Sequence, residues 1–366
     1  MKEKSCMNNK VLVAMSGGVD SSVAAYLLKK EGYDCIGCTM RLYDNDDIGM
    51  PESHTCCSLD DVEDARSVAY RLQIPYYVFN YTESFRREII ERFVCGYLSG
   101  KTPNPCIDCN RYLKFDLLYR RAMELGCDHI ATGHYARIEQ SDGKYFLKKG
   151  ADPAKDQSYV LYRLTKEQLA HTLLPLGTMT KNEVRKIAEE NGFINSNKPD
   201  SQDICFVPDG DYAGFIERHT GKRFESGDII DISGKIVGTH HGAIRYTVGQ
   251  RRGLGISASE PLYVIKKDMA ANTVTVGPEE KLYSKEIYVS DFNWISGEKS
   301  NRYPVRCKVM TRYRKKEKAV TVYTDGKSLR IVLDEPERAV TPGQAAVLYD
   351  GEIVLGGGVI EKAIYD

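Results

Sequence analysis

The chain has 366 residues, 42% hydrophobic and 28% charged, which excludes a largely disordered protein and predicts two or three domains. Lys+Arg and Asp+Glu both number 51, so the whole-chain charge argues against a strongly basic nucleic-acid protein and against an acidic tail protein, leaving room only for a local basic surface. No run approaches the ~18 apolar residues of a membrane span. The N-terminal residues Met1–Lys10 are polar, so a soluble cytoplasmic chain is expected, with its 11 cysteines mostly reduced.

In chain order, Lys10–Met15 reads as a buried strand and Val19–Glu31 as a helix stopped at Gly32. Asp34–Leu42 reads as a strand, Asp60–Leu72 as a helix with an acidic first turn, and Tyr76–Asn80 as a strand. Glu83–Leu98 and Arg111–Leu125 read as helices, and Asp128–Thr132 as a further strand. This alternation predicts an α/β domain with a doubly wound, mostly parallel sheet that takes ligands at the carboxyl ends of its strands. Beyond about Pro208 helical periodicity stops, apart from Tyr212–His219. Short alternating runs follow at Asp228–Ile232, Lys235–Val237, Leu262–Lys266, Thr273–Val276, Arg330–Leu333 and Ala345–Tyr349. The expected organisation is an α/β domain over 1–208, a small β-rich middle domain over 209–283 and a C-terminal β-barrel over 284–366.

Ser16-Gly17-Gly18-Val19-Asp20-Ser21-Ser22 lies between the first strand and the first helix. Two glycines allow close backbone approach and positive φ, and the helix N-terminus offers unpaired N–H groups. Together they make a cradle for pyrophosphate. The Gly-Lys-Ser/Thr ending of a Walker loop and the GxGxxG pattern are both absent. Asp20 beside phosphates makes sense as a magnesium ligand or a group just behind one. The segment resembles the ATP-pyrophosphatase superfamily of PP-loop enzymes. That resemblance implies ATP cleaved between its α- and β-phosphates and an adenylate that a nucleophile then displaces.

Lys101–Asn110 (KTPNPCIDCN) reads as an extended loop fixed by two prolines. Cys109 and Asn110 then fall at the N-terminus of the helix beginning at Arg111, where a thiol pKa is lowered. Ser201–Phe206 (SQDICF) reads as a strand-like segment carrying Cys205. Thiols from separate segments suit sulfur transfer, one carrying a persulfide and the other releasing it as a disulfide forms; the alternative is two unrelated buried thiols. Cys35 and Cys38 have ligand-like spacing, but on a strand they point to opposite faces and read as core. Cys56-Cys57 carries no mechanism, and Cys6, Cys95, Cys127 and Cys307 read as incidental or buried.

Between Arg302 and Lys318 eight basic residues face a single acid, Glu317. Arg306, Lys308, Arg312 and Arg314 share parity, so on one continuous strand they form a stripe for phosphates or a solvated edge protected by charge. Arg245, Arg251 and Arg252 form a second basic loop.

TPNPCIDCN, SQDICF, YTVGQRRGLGI (Tyr246–Ile256), CCSLDDVEDARSVAYRLQIP (Cys56–Pro75), ATGHYAR (Ala131–Arg137) and KDQSYVLYRL (Lys155–Leu164) together resemble the bacterial tRNA-specific 2-thiouridylase family, from Val11 to about Gly358. The resemblance implies ATP-dependent thiolation of the wobble uridine of tRNAs for Lys, Glu and Gln, with release of AMP and pyrophosphate. It implies Cys109 as the nucleophile and Cys205 as the persulfide cysteine, able to form a disulfide. It gives ATP contacts to Ala14, Met15, Ser16, Gly17, Gly18, Val19, Asp20, Ser21, Met40 and Gly133. Asn104, Pro105 and Cys106 match the loop that touches the target base. His134, Lys155, Asp156, Gln157, Arg312, Tyr313 and Gln344 match tRNA contacts. A sulfur donor, either a cysteine desulfurase or a relay protein, is implied, and a monomer is expected.

Many family members carry Asp where this chain has Cys106, so an acid/base role at this position is put in doubt. Cys106, Cys109 and Cys205 would supply the three thiolates of a [4Fe-4S] cluster with one open iron, and that route stands beside the persulfide one. Two further readings compete: a PP-loop synthetase acting on a small substrate, and a non-catalytic RNA-binding or iron–sulfur sensor protein.

Overall fold

β-branched and small apolar residues at the start of the chain build a central parallel sheet in the computed structural model, which describes residues 9–43, 59–199, 203–295, 303–324, 326 and 328–365. The strands up to residue 173 are β1 (Lys10–Ala14), β2 (Asp34–Arg41), β3 (Tyr76–Asn80), β4 (His129–Ala131), β5 (Ala136–Ser141), β6 (Lys144–Lys149) and β7 (Thr172–Leu173). The helices are α1 (Val19–Lys30), α2 (Leu59–Arg71), α3 (82–98), α4 (105–124), α5 (Lys166–Ala170), α6 (Lys181–Glu190) and α7 (Tyr212–Thr220). The sheet runs β3-β2-β1-β4-β7, every neighbouring pair parallel.

Side chains alternate across this sheet, as a strand requires. Leu12, Ile36 and Cys38 enter one core; Val11, Val13, Met15 and Cys35 enter the other. Cys35 and Cys38 are therefore buried on opposite faces. The pair Cys56-Cys57 lies outside the described residues, as do Cys6, Arg302, Ser201 and Gln202.

A second sheet, β8 (Gly227–Asp231), β9 (Ile236–His240), β10 (Tyr263–Asp268) and β11 (Thr273–Gly277), has the order β10-β11-β8-β9. The remaining strands are β12 (Tyr283–Trp294), β13 (Val305–Met310), β14 (Lys318–Thr324), β15 (Leu329–Arg338), β16 (Ala345–Asp350) and β17 (Ile353–Tyr365). They run β12-β15-β14-β13-β16-β17, and β12 pairs again with β17, closing a six-stranded antiparallel barrel. The hairpin β5–β6, which the sequence reading omits, leaves the first domain and joins the barrel through Ile353 and Lys148. Barrel residues Ala345, Val347 and Tyr349 pack into the same core as Leu12 and Ile36.

The single basic strand expected from Arg306 to Arg314 is corrected. β13 stops at Met310, and Arg314 has φ 62°, so Arg312 and Arg314 lie in the turn to β14. Arg306 is paired with Asp334, and Lys315 and Lys318 with Glu337. Arg245 is likewise engaged, 2.9 Å from Glu217.

Candidate active site

β1 delivers the chain to a tight turn in which Gly17 takes φ 78°. A Cβ on Gly17 would stand 2.3 Å from the Asp61 carbonyl oxygen of α2, so only glycine fits. Gly18 is the N-cap of α1 and, having no side chain, makes no capping hydrogen bond to its first-turn N–H groups. Those donors and the positive end of the helix dipole are thus available to an anion. Ser21 and Ser22 turn inward instead, donating to the Gly18 carbonyl at 3.0 and 3.1 Å.

Gly133, just past β4, touches the same helix end. A Cβ there would meet the Asp20 carbonyl carbon and Ser21 N at 2.8 Å. Ala14 and Met40 close the carboxyl ends of β1 and β2 nearby. The expected ATP residues therefore gather at one edge of the sheet.

Four residues not singled out from the sequence complete this edge. Asn195, 2% exposed, donates to the Gly17 carbonyl at 2.8 Å and to Ser22 Oγ at 2.9 Å. Lys198 bridges Asp61 and Asp64 at 2.6 and 2.7 Å. Lys181 and Tyr135 both donate to Asp20 Oδ1 at 2.7 Å. Thr180 and Glu183 form a capping box at the start of α6, the local signal that announces this helix and hence Lys181.

The thiol loop differs from expectation. Asn104 accepts from Cys106 N at 3.1 Å with Pro105 in the first turn, so the helix begins at Pro105 rather than Arg111. Cys106 thus occupies the helix N-terminus, while Cys109 opens a π-helical stretch, Cys109–Leu117, inside α4. Burial pushes the Cys109 thiol up, against the lowered pKa expected from a helix end. Neighbouring Asp108 is itself pushed up to about 6 by burial, against the pull of Arg92, Arg163 and Arg111. Lys114 favours the Cys109 thiolate and also acts on His134, placing both near one ammonium.

A raised thiol pKa means that the protonated form dominates at neutral pH, and ionisation of Asp108 adds further opposition. Iodoacetamide alkylation of Cys109 in the Cys106→Ser, Cys205→Ser protein is expected to keep rising at pH values where a free thiol has levelled off. A profile matching free cysteine would refute this.

Cys205 lies in a turn rather than a strand, its carbonyl accepting from Tyr43 Oη at 2.7 Å. Cys109 and Cys205 pack against one apolar cluster with Leu42, Tyr43 and Met40, at the carboxyl end of β2. No disulfide joins the described cysteines. Among the described residues no three His, Cys, Asp or Glu side chains gather to hold a metal ion. Cys106, Cys109 and Cys205 therefore do not fit the [4Fe-4S] cluster in this arrangement.

The barrel reaches this loop through the turn after β13. The Arg312 charge favours the ionised forms of Tyr97, Tyr159 and Tyr212, and Tyr313 meets Tyr159 in a tilted ring contact, centroids 5.9 Å apart, close enough to Cys106 for the two to interact electrostatically. His134 is buried, bonded through Nδ1 to Thr132 Oγ1 at 2.7 Å, and burial holds its pKa well below the ordinary value, so it is neutral at pH 7. Asp156 bonds Gly150 N and Ser158, and Gln157 Oε1 accepts from Tyr135 N, so both brace the turn that carries Lys155.

A parallel sheet with an uncapped glycine loop at its carboxyl edge, followed by two β domains, is the architecture that the resemblance to PP-loop enzymes implies. Residues 9–209 match the family described as tRNA methyl transferase HUP domain, 213–278 its PRC-barrel domain, and 284–360 the aminomethyltransferase beta-barrel domain. The tRNA-specific 2-thiouridylase MnmA of Clostridioides difficile (strain 630) is 51% identical over 98% of this chain and 99% of its own length. The enzymes of the same name from Geotalea uraniireducens (strain Rf4) and Acetivibrio thermocellus are 52% and 51% identical, over 98% and 96% of this chain and 97% and 99% of their own. The chain belongs to the tRNA-specific 2-thiouridylase family.

Proposed function

We propose that this chain 2-thiolates the wobble uridine of tRNA for Lys, Glu and Gln, using ATP. The observation that carries the reading is the shared edge: the open α1 N-terminus lies at the carboxyl end of β1, and Cys109 and Cys205 pack beside the carboxyl end of β2. The uracil O2 attacks the α-phosphorus of ATP, and pyrophosphate leaves into the Gly17–Asp20 cradle. The outer sulfur of a Cys205 persulfide then attacks C2, and AMP departs with the oxygen. Cys109 attacks the inner sulfur, forming the Cys109–Cys205 disulfide and leaving sulfur on the base. A thiol reductant restores both cysteines.

Ala14–Ser21, Met40 and Gly133 are the ATP-binding residues of this reading, and Lys181, held on Asp20, is the cation placed to meet the phosphates. Magnesium, when bound with ATP, neutralises phosphate charge, and Asp20 is the carboxylate that would hold it, both its described hydrogen bonds going to Oδ1. Asn104 to Cys106 meet the target base. His134, Lys155 to Gln157, Arg312 and Tyr313 form the RNA side, while the Gln344 amide is engaged by the Thr102 carbonyl; 1–208 is the catalytic domain, 209–283 the middle domain and 284–366 the barrel. The two-thiol route is preferred over the cluster because Cys109 and Cys205 share one apolar cluster. The sulfur donor is a cysteine desulfurase or a relay protein. The enzyme acts as a cytoplasmic monomer in this reading; among the described residues no helix is long and apolar enough to cross a membrane.

Two experiments test the reading. Pyrophosphate release from ATP should require tRNA bearing a wobble uridine; release that ignores tRNA would instead indicate a small-substrate synthetase. Arg312→Ala should weaken tRNA binding and reduce the slope of log K against log salt by about 1. An unchanged slope would remove Arg312 from the phosphate contacts.

A further inference from the structure

The segment between α3 and α4 carries Asn104, Cys106 and, on the helix it opens, Cys109. Its backbone is fixed from outside its own domain. Thr102 N donates to the Pro342 carbonyl at 2.9 Å, and Gln344 Nε2 donates to the Thr102 carbonyl at 2.6 Å. Both backbone groups of Thr102 are thus held by the turn leading into β16. Thr102 Oγ1 is buried without a partner, so the backbone, not the side chain, is the point of attachment.

The barrel side of this clamp is itself rigid. Gly343 N donates to the Ile360 carbonyl at 2.9 Å, and Ile360 N to the Gln344 carbonyl at 2.8 Å, tying the clamp to β17. Gly343 has φ 91°, and a Cβ there would stand 2.8 Å from Thr102 N, so the two chains are as close as glycine permits. Gln344 is 8% exposed, with its amide nitrogen spent on the loop. A second tie, Lys101 to Glu361 at 2.9 Å, runs alongside. Two residues beyond Thr102, Asn104 caps α4, so the clamp sets where that helix begins and how its thiols are aimed.

We propose that Gln344 is a positioning residue for thiolation, acting from the barrel through the Thr102 carbonyl to hold the cysteine-bearing segment in register. This rests on the reading of Cys109 as a catalytic thiol. The resemblance gives Gln344 to tRNA contact, and the two roles predict opposite kinetics. A positioning residue alters the rate at saturating RNA. A contact residue alters RNA affinity.

The test uses the full-length protein with Gln344→Ala, Gln344→Glu and Gln344→Lys. Alanine removes the donor, glutamate keeps the length but turns an acceptor on a carbonyl, and lysine restores a donor. Alanine and glutamate should lower single-turnover thiolation at saturating tRNA and ATP by about 10- to 100-fold. Their tRNA Kd should stay within about twofold, and the alkylation rate of Cys109 should change in both. Lysine should recover part of the rate. A rise in tRNA Kd with an unchanged saturating rate would overturn the proposal, as would wild-type rates and alkylation in both variants. Should alanine fail to fold, the length-matched glutamate and lysine variants carry the same comparison. Cys109→Ser is run in parallel: full activity there would sink the catalytic reading of Cys109 itself, whatever Gln344 does.

Discussion

The Cys205→Ser protein is expected to lose thiolation by at least about 10³-fold while binding tRNA within about twofold of the unaltered enzyme. Serine cannot carry a persulfide, so the sulfur has no carrier. The substitution itself is small, and Cys205 sits in a turn whose carbonyl accepts from Tyr43. The apolar cluster behind it, with Phe85, Phe93 and Phe206, is left intact. Adenylylation comes before sulfur transfer, so tRNA-dependent pyrophosphate release should persist for about one turnover. Nucleoside analysis paired with filter binding gives the answer. Strong loss of binding, or retained thiolation, would remove Cys205 from the sulfur route.

Gly133→Ala is expected to reduce tRNA-dependent pyrophosphate release by about 10²-fold, because misplacing reacting groups by about 1 Å costs that much. The added methyl would meet Asp20 C and Ser21 N at 2.8 Å. Both are backbone atoms of the first turn of α1, so no flexible side chain can move aside. The helix end must shift, and with it the first-turn N–H groups proposed to meet the phosphates. Asp20, held by Lys181 and Tyr135, would resist that shift. ATP affinity should therefore fall while tRNA affinity stays. Unchanged pyrophosphate release would mean that this helix end does not hold the nucleotide.

Much of the ATP edge was legible because its signals are local. Two glycines and a helix start follow one buried strand, and the chain has to turn there. Asn195, Lys181 and Lys198 were not, since the first two reach the loop, and Lys198 the first turns of α2, from more than a hundred residues away, a distance no spacing encodes. The start of α4 was misplaced although Asn104-Pro105 is a cap followed by proline in the first turn. Two prolines in five residues read as extended chain, and the cap won. The basic stripe failed for a conformational reason: parity holds only along one strand, and Arg314 at φ 62° breaks it. The β5–β6 hairpin is held by the barrel it joins, an interaction between distant parts of the chain that leaves little trace in local hydrophobic pattern.

We propose that one edge of the parallel sheet couples ATP cleavage to sulfur delivery on tRNA. The most direct measurement is mass spectrometry of nucleosides from tRNA for Lys, Glu or Gln, incubated with the protein, ATP, magnesium and a persulfide-generating cysteine desulfurase. The account predicts 2-thiouridine at the wobble position, formed together with AMP and pyrophosphate and absent when that uridine is replaced by cytidine. Equal pyrophosphate release on both RNAs without any 2-thiouridine would contradict it.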